Sequence, residues 1–235
     1  MSRYAHIEHA LTDALRLKRR PIAVAFREDA PSGVAKFTGT QPSGCSFWRL
    51  ALERDPFYTV PSDHYNCPVG SYTHNIPLPP ERMPELNQTL GLMTRIGYLK
   101  MEEVPGIPRL ERTPGVIIYS TLAETPVDPD VVILSGPPAR LMVFHEAATR
   151  AGVSAAPVLG RPTCMAVPAA LTGVFAASVG CVGNRVYTDV PDDDFYVAVA
   201  GHQLAAIVDQ LHTISTANQT LNEYHQGRRA TLATS

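Results

Sequence analysis

Four cysteines in two widely separated pairs place the strongest constraint on how this chain can fold. Cys45 and Cys67 lie in the N-terminal third and Cys164 and Cys181 in the C-terminal third, within the stretches PSGCSFW, DHYNCPVGSY, RPTCMAVPAA and SVGCVGNR. Turns leave side chains accessible, and helix starts favour an anionic sulfur. A chain that uses these thiols together must therefore fold its two outer thirds onto one another. No C-x-x-C occurs, so the spacing matches neither a zinc ribbon nor the common ferredoxin pattern.

With 235 residues, 45% of them hydrophobic, the chain can bury a sizeable core. The expected organisation is a single α/β or α+β domain over residues 1–215, with a mixed sheet flanked by helices, and a polar C-terminal tail over 216–235. Two similar lobes are a variant of the same reading, suggested by a faint echo between RRPIAVAF and RTPGVIIYS. A net charge of −2, with a single dense basic run at Lys18, Arg19 and Arg20, gives no footprint for nucleic acid. The opening MSRYAHIEHALTDALRLKRRP lacks the apolar core of a signal peptide, and no window reaches the ~18 apolar residues of a membrane span. A cytoplasmic location follows, where free thiols, metal ligands or catalytic groups are expected in preference to disulfides.

Hydrophobic periodicity places the elements. Ile7, Leu11, Ala14 and Leu15 recur at helical spacing before the strand-like run Ile22 to Phe26. A short helix is expected to carry Cys45, Phe47, Trp48 and Leu50 until Pro56, followed by a long ordered loop from Val60 to Pro80. A helix over Glu85 to Tyr98 closes near Gly97. Strands at Val116 to Tyr119 and Val131 to Leu134, with a helix over Ala139 to Ala151, suggest a β–α crossover unit. Met165 to Ala177 reads as a short buried helix, SVGCVGNR as a tight turn and strand, Phe195 to Val199 as a strand and Leu204 to Leu211 as a helix. From Asn222 onward the chain reads as frayed.

The segments LKRRPIAVAF, CSFWRLA, DHYNCPVGSY, PDVVILSGPPARLM, RPTCMAVPAA and SVGCVGNRVY, in that order, resemble the family known as domain of unknown function 169. The likeness runs from about Leu15 to Leu211. It implies a single intracellular domain and names no reaction.

Function is therefore argued from the residues. Buried cysteine is commonly an inert core filler, a description that suits Cys164, followed by Met165, Ala166 and Val167, better than Cys67 or Cys181. Taken together, Cys45, Cys67, Cys164 and Cys181 are expected to form one metal site, with a [4Fe-4S] cluster preferred over zinc. The expected role is redox or small-molecule transformation. A non-enzymatic small-ligand or metal-binding protein and a metal-free thiol enzyme are the alternatives. His64, three residues before Cys67, is the candidate proton-transfer partner of that thiol. Trp48, Asn184 and Arg185 are candidate ligand contacts: Trp48 by stacking, Arg185 by its guanidinium fork, unless Arg185 pairs with the acidic turn Asp192 to Asp194. The expected partners are a small-molecule substrate or a redox partner, with neither nucleic acid nor membrane, and the chain is compatible with an oligomer. G-x-G-x-x-G, G-x-x-x-x-G-K-[ST], H-E-x-x-H and G-x-S-x-G are all absent.

Overall fold

Strand β1 (Ile22–Arg27) sits in the middle of the sheet because its side chains are apolar on both faces. Such a strand is stable only where both faces are covered. Ile22 and Val24 point into one core and Ala23 into the other, as the two-residue period of a strand requires. The computed structural model describes residues 3–156 and 160–233, which include β2 (Ala35–Lys36), β3 (Phe57–Thr59), β4 (Val116–Thr121), β5 (Val131–Gly136), β6 (Ala176–Ser178) and β7 (Phe195–Ala200). They form one seven-stranded sheet in the order β2-β3-β4-β1-β5-β7-β6. The sheet is mixed: β2 pairs with β3 in parallel, and the other pairs are antiparallel. Its two edges are short, two residues at β2 and three at β6, the latter extended by a bridge between Ala155 and Phe175.

Helices cover both faces. On one side α1 (Arg3–Leu15), α5 (Pro138–Arg150) and the start of α8 (Leu204–Ala233) bury Leu11, Leu15, Phe144, Leu204 and Ile207 against Ala23, Val132, Leu134, Val197 and Val199. On the other, α2 (Ser46–Glu53) and α6 (Ala166–Leu171) bury Phe47, Trp48, Leu50, Val167 and Ala170 against Val24, Ile117, Tyr119, Ile133 and Ala198. The second face also carries α3 (Pro68–Thr73) and α7 (Val182–Thr188), whose first turns present Cys67 and Cys181. Helix α4 (Met83–Arg95) lies outside both layers and fully buries none of its residues. Among the described residues no helix is long and apolar enough to cross a membrane.

Several expectations are corrected here. β5 and α5 occur where expected, but β5 pairs antiparallel with both of its neighbours, so no parallel crossover unit forms. The two echoing segments are β1 and β4, antiparallel partners in register Val24 to Tyr119. Residues 60–80 hold a 3-10 turn (Pro61–His64) and α3. SVGCVGNR opens a helix where a strand was expected. Its C-terminus is closed by Asp189 in the left-handed conformation at φ 50°. The segment beyond Leu211 continues as α8 to Ala233, its side chains largely solvent-exposed. Its lack of an apolar stripe hid it from a periodicity argument. Gly97 does lie just past α4, at φ +72°.

Candidate functional site

Each cysteine lies at the beginning of a helix. Cys45 precedes α2, Cys67 precedes α3, Cys181 precedes α7, and Cys164 lies in the 3-10 turn (Thr163–Met165) that leads into α6. Their immediate surroundings differ. Cys45 is buried, with Ser43 Oγ 3.2 Å from its sulfur. Burial pushes its thiol up to about 11, against the pull of Ser43 and Asn184. Cys164 is buried in the core and raised well above the ordinary thiol value, first by burial and then by the charge of Cys67, with Thr73 opposing. Cys67 and Cys181 are half-buried.

The four sulfurs do not make the common centre that was expected. Among the described residues no group of three or more Cys, His, Asp or Glu side chains is placed to hold a metal ion. Cys45 and Cys164 are drawn into the apolar core. The anionic forms do sense one another as charges, those of Cys67 and Cys181 raising the Cys45 thiol. Charge sensing acts over longer distances than coordination, which requires sulfur about 2.3 Å from a metal. The reading of a metal-binding protein whose site is built from these four cysteines is overturned.

Cys67 is the best-organised of the four. Pro68 occupies the first position of α3, where a missing N–H costs nothing. The sulfur caps the helix by accepting the Gly70 N–H at 3.3 Å, and the Gly44 N–H also supports its anionic form. Position 70 must be glycine in this arrangement, since a Cβ there would stand 2.9 Å from the sulfur. Burial still dominates and raises the Cys67 thiol, with the charge of Cys181 adding to it. At neutral pH the proton therefore rests on the sulfur.

His64 is fully enclosed beside it, its ring 4.8 Å from Phe47 and 6.0 Å from His74. Its Nε2 lies 2.8 Å from Thr59 Oγ1, and the Thr59 hydroxyl donates to the Ile117 carbonyl at 3.3 Å. That leaves Thr59 to accept a proton from Nε2–H, so Nδ1 carries the lone pair. Nδ1 has no hydrogen-bond partner among the described residues, and it lies 3.7 Å from the Cβ position of Gly44, the residue whose N–H supports Cys67. Burial pushes His64 down to about 3, with His74 adding to the effect, and burial also holds His74 down to about 4. Both imidazoles are neutral.

The expected ligand contacts are divided. Trp48 is 2% exposed and meets Tyr196 edge-on at 5.4 Å. Asn184 is buried, with Nδ2 3.5 Å from the Tyr196 hydroxyl and Oδ1 without a partner among the described residues. Arg185 instead clasps its own turn. Nη2 donates to the Val179 and Asp194 carbonyls at 2.6 and 3.1 Å, Nη1 donates to the Pro191 carbonyl at 3.0 Å, and Asp192 stands 3.9 Å away. The Arg185 guanidinium is thus engaged by carbonyls of its own turn. Sequence reasoning passed over Thr59, Gly44 and Gly70. The run Cys-Pro-Val-Gly was the available signal, a cap, a proline at the first helical position and a glycine three residues past the cap.

No curated protein and no solved structure matches the chain. A family model described as Uncharacterised ArCR, domain of unknown function 169, matches residues 10–210. Those residues contain the whole sheet and all four cysteines, and the chain belongs to the domain of unknown function 169 family.

Proposed function

We propose that this is a metal-free, thiol-dependent protein whose reactive group is the Cys67 sulfur, with a small disulfide as its substrate class. The observation that carries this reading is the seat of the sulfur. Cys67 accepts the Gly70 N–H at 3.3 Å, and the Gly44 N–H also supports its anionic form. Oriented N–H groups stabilise developing negative charge on sulfur without having to reorganise. In the reaction the Cys67 S–H proton passes to water, and the thiolate so formed, held by the Gly70 N–H, attacks one sulfur of the disulfide. The substrate S–S bond breaks, a mixed disulfide forms on Cys67, and the departing thiolate takes a proton from water. A reducing cytoplasm would supply the thiol that resolves the mixed disulfide and returns the chain to its free-thiol state.

The test is reaction with a chromogenic aromatic disulfide, followed by stopped-flow, for the native chain, Cys67→Ser, Cys181→Ser and His64→Gln. The fastest phase is expected to correspond to one thiol, to vanish in Cys67→Ser and to persist in Cys181→Ser and His64→Gln. A fastest phase that survives Cys67→Ser overturns the assignment.

A further inference from the structure

A cleft of about 620 Å³ opens on the same side of the sheet as α6, between the end of β1, residues 109–114 and the C-terminal half of α6. Its size is that of a small-molecule site. Phe26, Leu110, Pro168 and Leu171 supply apolar walls, and Leu171 is left 39% exposed at one of them. Two of its arginines are already committed. Arg27 donates to Asp130 Oδ2 at 2.7 Å and to the Phe26 and Asp128 carbonyls at 2.6 Å. Arg109 donates to the Tyr72 carbonyl at 3.0 Å and to Asn75 Oδ1 at 2.5 Å, and lies over the Tyr72 ring. Held in this way, both act as rigid framework.

Arg112 and Glu28 are different. Their side chains are 86% and 70% exposed, and they face each other across 3.7 Å, a weak and solvated pair. A ligand carrying both a carboxylate and an ammonium can replace this pair with two better ones, the carboxylate taking the Arg112 fork and the ammonium taking Glu28. The lining is balanced in charge, with Arg27, Arg109 and Arg112 against Glu28, Glu111 and Asp130, a balance that disfavours a dianion such as phosphate. From this combination we infer that the cleft binds a small zwitterion with an apolar side chain, of the free amino-acid class, its charged end on Arg112 and Glu28 and its side chain against Phe26 and Leu171.

The test is titration of the full chain with L-phenylalanine, monitored by calorimetry and by saturation-transfer NMR, alongside 3-phenylpropionate, phenethylamine and inorganic phosphate. L-Phenylalanine is expected to bind about tenfold more tightly than either singly charged analogue, with no binding of phosphate. Arg112→Ala and Glu28→Ala, both on exposed side chains, should each weaken it by about tenfold without moving the melting temperature. Leu171→Glu should weaken it as well. Absence of L-phenylalanine binding, equal affinity for 3-phenylpropionate, or unchanged affinity in both charge variants overturns the inference.

Discussion

Acidification should destabilise this protein through two side chains in particular. His64 and His74 are enclosed with their rings stacked 6.0 Å apart, and burial holds them down to about 3 and about 4. In the unfolded chain both titrate near the ordinary value of about 6.5. The unfolded state thus binds more protons whenever the pH lies below about 6.5, so stability is full above that value and falls as the pH drops toward the folded values. At pH 5, about 1.5 units below the unfolded value, each histidine costs about 2 kcal/mol and the pair about 4 kcal/mol. A loss of this size is a large part of the roughly 5–15 kcal/mol that holds a domain together. Urea unfolding monitored by fluorescence of Trp48, the single tryptophan and a core residue, reports it directly at pH 8, 7, 6 and 5. The double variant His64→Gln/His74→Asn, whose amides do not titrate, should be less stable at pH 8 and lose most of the slope between pH 7 and 5. A native chain that loses less than about 1 kcal/mol over that interval, or a double variant with the native slope, refutes the reasoning.

Phe47 stacks on Tyr119 and packs against Phe37, Phe57 and His64, so Phe47→Ala should cost about 3–5 kcal/mol and lower the melting temperature by roughly 10 °C in a calorimetric scan. Gly70→Ala would push the Cys67 sulfur off the Gly70 N–H, so iodoacetamide labelling of Cys67 at pH 8 should slow and its pH profile should move upward. A Cβ on Gly201 would run into the Pro129 carbonyl, and Gly201→Ala should lower stability by about 3 kcal/mol in urea titrations.

The elements that were legible in the sequence are those with a clear period or a clear stop. α1 showed its apolar spacing, α2 its stop at Pro56, and β1, β4, β5 and β7 their β-branched runs between proline and glycine. α3 and α7 were not legible, because six- and seven-residue helices are too short to show a period and their glycines argue for turns. At the site, His64 and Cys67 are three residues apart, and the Cys67 N–H donates to the His64 carbonyl at 3.0 Å. Whether four distant cysteines converge depends on how helix starts are set around a sheet, and no spacing along the chain encodes that. The lone pair on His64 Nδ1 depends on a hydroxyl in β3 and a carbonyl in β4, relations that exist only once the strands pair.

The brevity of the sheet's edges has a consequence for the protein in concentrated solution. A sheet of seven strands offers two rows of backbone N–H and C=O groups on which another chain could grow. Here one row ends after Ala35 and Lys36, both exposed and one of them charged, and the other ends after Ala176, Ala177 and Ser178, next to the Ala155 bridge to Phe175. Neither row reaches the six or seven residues that a fibril-forming zipper uses. Aggregation on storage or heating should therefore track global unfolding, and light scattering should rise only together with loss of the Trp48 signal.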